Sequence, residues 1–176
     1  MKKITLGILL IAVAYILPTS CDKLEDLIKI PISITDQFTI PAGTGIGTIF
    51  SPITGSSETN IEQELENNDA RKDKIKTVKL RELKLTILTS GKDFSFADSL
   101  EIYLNTEGQE EILIATKDDI DPDATSIDMD VVGDDLADYL KQDEISFRAK
   151  FENKELDLTS TDVEVFAKFR ITVDIF

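Results

Sequence analysis

The sequence predicts an all-β protein: an antiparallel β-sandwich of Ig-like or jelly-roll type, with about eight strands and one or two short surface helices. Apolar and polar residues alternate in several segments, as in strands with one buried face. These segments are short, evenly spaced and separated by turn-forming residues, and strands do not alternate regularly with helices. A length of 176 residues suits one domain. A closed barrel is the alternative, whereas a membrane barrel is disfavoured because the outward faces carry charges.

The last two predicted strands show the alternation most clearly. Seven apolar residues recur at every second position from Val163 to Ile175, and the same rule holds from Ile145 to Phe151. The connection between them, which contains Asn153 and several Ser and Thr residues, favours a hairpin with a long loop.

Further strands and two helices are predicted from weaker patterns. In the segment 75–89 the apolar positions change phase, which predicts a β-bulge at Arg81-Glu82. The other predicted strands lie at 30–35, 38–40, 100–105, 111–116 and 127–132. A capping box at Thr59 to Glu62 predicts a charged surface helix to about Lys72, and 134–141 predicts a second, short helix.

The composition excludes several classes of function. The chain has a formal net charge of -15 and a pI near 4.3, which argues against nucleic acid as a partner. Without histidine there is no Ser-His-Asp triad, Cys-His dyad or HExxH zinc site. With one cysteine there is no internal disulfide. The sequence presents no catalytic constellation, so we do not predict an enzyme.

The N-terminus reads as a secretory signal that ends at the cysteine of the chain. Lys2 and Lys3 precede an apolar run from Ile4 to Leu17, and small residues then lead to Cys21. This pattern resembles the type II signal peptide of bacterial lipoproteins. The resemblance implies lipid attachment at Cys21 and export to the bacterial envelope. An ordinary cleaved signal and an uncleaved membrane anchor are the alternatives.

The predicted organisation is a signal at 1–20, a tether at 21–29 and one sandwich domain at 30–176. Loss of Lys2 and Lys3 with the signal leaves 17 basic and 34 acidic residues, a net charge of -17. Anionic headgroups would repel such a body, so we expect it to stand off the membrane on its lipid tether. The resemblance to lipoproteins implies the outer membrane or the cell surface, because similar acidic residues follow the lipid cysteine of surface lipoproteins in some lineages, with retention at the inner membrane as the alternative.

An acidic loop is the predicted metal site. Asp119, Asp121, Asp123 and Asp130 supply carboxylates whose spacing could converge on Ca²⁺, which takes six to eight oxygen ligands. The turn position holds Ala124 rather than glycine, and the flanks read as strands, so this loop is not an EF-hand. A solvated acidic loop is the alternative, and no other cofactor is predicted.

The sequence therefore predicts a membrane-anchored lipoprotein that acts as a non-catalytic binding, adhesion or accessory module, with an envelope protein or a glycan as partner. The alternatives are a calcium-dependent carbohydrate-binding or hydrolytic domain and a carrier of an apolar ligand between the sheets.

The glycine-rich stretch Gly43 to Gly47 lacks the GK[ST] of a phosphate loop. Phe166 and Phe176 occupy the positions of the last strand that alternate with its apolar residues. They form part of an exposed binding patch or are covered by another element.

Overall fold

The computed structural model describes residues 27–42, 49–50, 57–58, 61–153 and 159–174. For residues 49–50, 57–58 and 151–153 it describes the backbone only. The strands in these ranges are β1 (Leu27–Ile40), β2 (Ile49–Phe50), β3 (Ser57–Glu58), β4 (Ile75–Ile87), β5 (Ala97–Asn105), β6 (Ile112–Lys117), β7 (Ser126–Asp128), β8 (Asp130–Val131), β9 (Glu144–Asn153) and β10 (Thr161–Asp174). The helices are α1 (Ile61–Glu66), α2 (Ala137–Leu140) and a 3₁₀ turn, Lys72–Lys74. None of these helices is long and apolar enough to cross a membrane.

The strands form two antiparallel sheets that pack face to face, which confirms the predicted sandwich. The smaller sheet has the order β1-β10-β4-β7, and the larger has the order β2-β9-β5-β6-β8, with β3 also pairing to β9. The inward positions of both sheets contribute to one continuous apolar core. The alternation along each strand therefore reflects one face against the core and one face against water.

β10 is the central strand of the smaller sheet. It pairs with β1 from Leu27 opposite Asp174 to Ile40 opposite Thr161, and with β4 on its other side. Its inward residues from Thr161 to Val173 are buried, and Phe169 is 0% exposed. Complete burial of one such Phe side chain contributes about 2–3 kcal/mol.

The predicted bulge is confirmed in β4. Glu82 lies opposite Lys168 and Leu80 lies opposite Phe169, so Arg81 has no partner in the register. Leu80 and Leu83 both face the core, and the two residues between them are both exposed. The extra residue thus lets apolar side chains on both sides of the bulge reach the same core.

The predicted hairpin between the last two strands is wrong. β9 pairs with β5 in the larger sheet, whereas β10 pairs with β1 and β4 in the smaller one. The chain therefore crosses between the sheets after Asn153. Alternation identifies the buried face of a strand but does not identify its neighbour, and consecutive strands neighbour each other only about two-thirds of the time.

The predicted strand at 127–132 is divided between the two sheets. β7 pairs with β4 in the smaller sheet, and β8 pairs with β6 in the larger. Met129 lies between them, is buried, and donates its backbone N–H to the carbonyl of Leu83 at 2.9 Å. One short segment therefore joins both sheets along this side of the sandwich.

The two helices end or begin short of the predicted bounds but use the expected apolar residues, and Thr59 of the predicted capping box lies outside the described residues. Ile61 and Leu65 of α1 are 0% and 1% exposed, so this helix packs against the core more than its charge suggests. Beside α2, Asp135 Oδ1 accepts the N–H groups of Val78 at 2.9 Å and Ala137 at 3.1 Å. That carboxylate satisfies a donor of β4 and one at the start of the helix.

β1 is an edge strand and begins inside the segment predicted as a tether. It starts at Leu27, and its free side is not paired with another strand in the described part of the chain. Pro31 lies within it, opposite Arg170. Proline is tolerated in edge strands because it has no N–H to offer a further strand.

Candidate binding surface

Several predicted site residues lie outside the described residues. They include Cys21, the glycine-rich stretch 43–47 and Phe176. The lipid-attachment site and the boundary of the signal therefore stay predictions.

The acidic loop between β6 and β7 is held by its own backbone. The side chain of Asp121 accepts the N–H of Asp123 at 3.1 Å, and the carbonyl of Asp121 accepts the N–H of Ala124 at 3.1 Å. Asp119 has a φ of 51°, in the left-handed region that Asp adopts more readily than most residues. These contacts define a turn, with the side chains of Asp121 and Asp123 exposed.

The four predicted calcium ligands are not gathered around one point. Asp130 forms an ion pair with Lys117 at 3.3 Å, and Asp119 lines a surface concavity of about 540 Å³ with Asp98 and Ser99. Within the described ranges no group of three or more acidic side chains is arranged to hold a metal ion. Calcium binding by this loop stays a prediction.

A second concavity lies at one end of the larger sheet, where β5 and β9 meet the turns beside them. It has a volume of about 470 Å³ and is lined by Asn105, Glu107 and Asp143 among other polar residues. The Thr106 hydroxyl donates to the carbonyl of Glu144 at 2.7 Å, which ties the two strands together there. Asp143 also pairs with Lys72 at 2.8 Å.

The outer face of the larger sheet carries a network in which each cation has a partner. Lys150 donates to Glu101 at 2.8 Å, and the Tyr103 hydroxyl donates to the same carboxylate at 2.8 Å. The hydrogen bond from Lys150, followed by that from Tyr103, lowers the pKa of Glu101 below its usual 4.5. Arg148 binds both oxygens of Glu111 and lowers the pKa of that carboxyl in the same way.

The outer face of the smaller sheet has the opposite character. Four exposed cations lie there on three adjacent strands without an acidic side chain within 4 Å in the part of the chain that the structure describes. We call them the basic face, and they are Lys29, Arg81, Lys168 and Arg170. They contrast with a chain that carries 34 acidic and 19 basic residues.

The strand register places the basic face in three successive rows. Lys29 of β1 lies opposite Thr172, and Arg170 of β10 lies between Pro31 and Lys79 in the next row. Lys168 occupies the third row, beside the bulge that carries Arg81. Strands lie about 4.8 Å apart and alternate residues about 6.8 Å apart, so these side chains are neighbours.

Both charged and uncharged residues surround the basic face. Lys79 donates to the carbonyl of Gly133 at 2.6 Å, and Glu82 is opposite Lys168 in register without forming an ion pair. Phe166 is half-buried on the same face, between Thr35 and Lys84. The hydroxyl-bearing residues of this face are Ser33, Thr35, Thr39, Thr77, Thr86, Ser126 and Thr172.

Cations at the margins of this sheet are paired. Lys84 lies 3.4 Å from Asp128, and Lys76 lies 3.4 Å from Asp174. The four unpaired cations therefore lie on β1, on β10 and at the bulge of β4. Reasoning from the sequence placed Lys168 and Arg170 on the outer side of the last strand. The sequence alone does not predict that Arg81 and Lys29 lie beside them, because that prediction requires the strand order β1-β10-β4.

Comparisons with known proteins do not assign this chain to a family. No family model matches it, and no curated protein matches it. Among solved structures, it is similar to an arabinose-bound MgGH51 α-L-arabinofuranosidase at 14% identity and a TM-score of 0.35, over 81% of this chain and 23% of that one. It is also similar to Desmodium yellow mottle tymovirus, at 11% identity and a TM-score of 0.22, over 83% of this chain and 90% of that one. The chain spans about a quarter of the arabinofuranosidase, and neither likeness bears on function.

Proposed function

We propose that the chain is an exported, lipid-anchored envelope protein whose β-sandwich acts as a non-catalytic binding module, and that the basic face holds an acidic partner. The observation that carries this proposal is the contrast between the two sheets. Cations on the outer face of the larger sheet are neutralised by carboxylates, whereas those of the basic face are not.

The unpaired state of the basic face favours a partner of opposite charge. The strands of the smaller sheet contain seven basic and six acidic residues, and the four cations of the basic face are not among those that form ion pairs in the described part of the chain. A cluster of like charges on a folded surface repels itself, and an anionic ligand relieves that repulsion. A protein of net charge -15 otherwise repels anionic ligands, so a local basic cluster gives selectivity for one face.

The position of β1 limits how far a lipid-anchored sandwich can stand from the membrane. Leu27 is six residues beyond Cys21, so an extended chain between them spans at most about 20 Å. An acylated Cys21 would therefore hold the sandwich close to the membrane surface, with Lys29 two residues after the start of β1. Two or three acyl chains hold such a body firmly, since each buried CH₂ contributes about 0.8 kcal/mol.

Retention on a cation-exchange matrix tests the basic face. We expect the protein to bind a sulfonate matrix at pH 7 and low salt although its pI is near 4.3. K168Q/R170Q should elute at clearly lower salt. The matched control is K117Q/K141Q, which removes two half-buried, paired cations and has the same net charge. Passage of the unaltered protein straight through the matrix would refute the proposed function.

The lipid anchor has its own test. Cys21→Ser removes the predicted acylation site, so the variant should move from the membrane fraction to the soluble fraction. Mass spectrometry of the unaltered protein should show an N-terminal cysteine carrying acyl chains. A serine variant that remains wholly in the membrane fraction would show that another element holds the protein there.

A further inference from the structure

We propose that the partner of the basic face is a linear acidic polysaccharide, with one carboxylate on each or nearly each sugar unit. This inference rests on the proposed function and specifies the ligand of the same face. It is argued from the shape of the face, from the chemistry of the uncharged residues around the cations, and from the distribution of charge over the rest of the molecule.

The shape of the basic face suits an extended polymer. Its cations lie on β1, β10 and β4, which are adjacent in an open sheet, so they form a shallow band rather than a pocket. The step from Arg170 to Lys168 along β10 is about 6.8 Å, and the step between neighbouring strands is about 4.8 Å. These steps are comparable to the length of one sugar unit, so successive carboxylates can reach successive cations.

The uncharged residues of the face suit sugar hydroxyls. Ser33 lies opposite Lys168, and Thr172 lies between Lys29 and Thr77 in the register. Ser and Thr hydroxyls both donate and accept hydrogen bonds, as the hydroxyls of a sugar do. An acidic peptide would instead present backbone amides, which find no unpaired backbone groups on the outer face of a sheet.

Phe166 gives the face an apolar contact of limited size. It is half-buried and lies two residues before Lys168, on the same face of β10. An aromatic ring in this position can pack against the C–H groups of a sugar ring. A single half-buried ring is too little apolar surface to insert into a bilayer.

The charge around the face favours a linear polymer over an anionic membrane. Asp162 and Glu164 of β10 are on the same outer face, toward its other end, and the chain as a whole is strongly acidic. A bilayer presents a plane of negative charge that would meet these carboxylates as well as the cations. A linear polymer that follows the cations passes Glu82 beside Lys168, but it stays about 13 Å from Glu164, beyond the distance of about 8 Å over which charges interact strongly at physiological salt.

Calorimetric titration with defined oligomers tests the inference. The detergent-solubilised protein, with its N-terminus as processed by the cell, is titrated with a six-unit oligomer of uronic acid and with a neutral glucose oligomer of equal length. We expect binding of the acidic oligomer only. K168Q/R170Q should weaken binding about tenfold or more, since hydrogen bonds to charged groups are lost, and K117Q/K141Q should change it less than about twofold.

The salt dependence gives a second readout that a structural effect would not move. Binding of a polyanion releases counterions, so the affinity of the unaltered protein should fall steeply with salt. The slope should become shallower for K168Q/R170Q and stay unchanged for K117Q/K141Q. Phe166→Ala should weaken binding and leave the slope unchanged, because it removes an uncharged contact.

Several results would overturn the inference. Equal affinity for the glucose oligomer would remove the role of the carboxylates, and equal affinity for a glutamate oligomer would remove the role of the sugar. Binding to vesicles of anionic lipid, with no binding to the uronic acid oligomer, would make the face a membrane contact. In each case the sulfonate matrix can still retain the protein, so the proposed function and the identity of its ligand fail separately.

Discussion

The guanidinium of Arg148 lies over the ring of Tyr103, with its central carbon 4.2 Å from the ring centroid. The two residues face each other on β9 and β5, where they are opposite in the register. The same guanidinium binds both oxygens of Glu111. One side chain therefore links two strands and the start of a third through a cation–π contact and two charge-assisted hydrogen bonds.

We expect Arg148→Gln to lower the free energy of unfolding by about 1 kcal/mol, since it removes a partly buried ion pair and a cation–π contact. Urea denaturation at pH 7 measures this change. Arg81→Gln is the matched control, because Arg81 is exposed and its substitution should change the free energy of unfolding by less than about 0.5 kcal/mol. Equal effects of the two substitutions would contradict a stabilising role for the Arg148 contacts.

The lowered pKa values of Glu101 and Glu111 predict a dependence of stability on pH. Both carboxyls have a folded pKa below their usual 4.5, because Lys150 and Arg148 favour the charged forms. Their contribution is therefore complete above about pH 5 and is lost as the pH falls through the lowered values. Denaturant titrations at pH 7 and pH 3 measure this loss.

The variant E101Q/E111Q isolates this effect from the other acidic residues. The protein has 34 acidic residues, and their protonation relieves mutual repulsion at low pH, which acts in the opposite direction. We expect the variant to be less stable than the unaltered protein at pH 7, with a smaller difference at pH 3. A difference that does not shrink at pH 3 would show that these two carboxylates are not the titrating groups.

Phe169 tests the packing between the sheets. It is 0% exposed in the middle of β10, and Phe169→Ala should lower the free energy of unfolding by about 3–5 kcal/mol, because the cavity adds to the lost burial. Phe166 is half-buried on the outer face of the same strand, so Phe166→Ala should lower the free energy of unfolding by only about 1 kcal/mol. Thermal or urea unfolding monitored by circular dichroism distinguishes the two values.

Pro31 tests the protection of the free edge of β1. Pro31→Val supplies an N–H donor and a residue that favours strands, so the edge becomes able to pair with a second molecule. We expect concentration-dependent dimers or aggregates in sedimentation experiments. Ser33→Val is the control, since it adds the same side chain to the same strand without changing the backbone donors. Self-association of Ser33→Val alone would assign the effect to surface hydrophobicity.

Much of the fold could be predicted from the sequence, because a strand that is buried on one face shows alternating apolar and polar residues. The inward residues of β10 alternate without a break up to Val173, and the change of phase in β4 located the bulge at Arg81. The pairing of strands could not be read in this way. β9 and β10 both alternate regularly, yet they belong to different sheets.

The candidate surface was less predictable for the same reason. The sequence shows that Lys168 and Arg170 face outward on one strand, but Lys29 and Arg81 are far from them along the chain. They meet only because β10 lies between β1 and β4. The sequence instead predicted a metal site at the acidic residues near Asp121, because the spacing of residues within one loop can be read without knowledge of the fold.

The long ladder between β1 and β10 also determines how the protein would carry a mechanical load. The proposed lipid anchor upstream of Leu27 would pull on β1, and the proposed ligand at Lys168 and Arg170 would pull on β10. Opposed forces on two paired strands tend to slide one along the other. Lys168 and Arg170 lie opposite Ser33 and Pro31, so both forces would enter the ladder near its Leu27 end, and the register pairs between Leu27 and Ser33 would carry most of the tension.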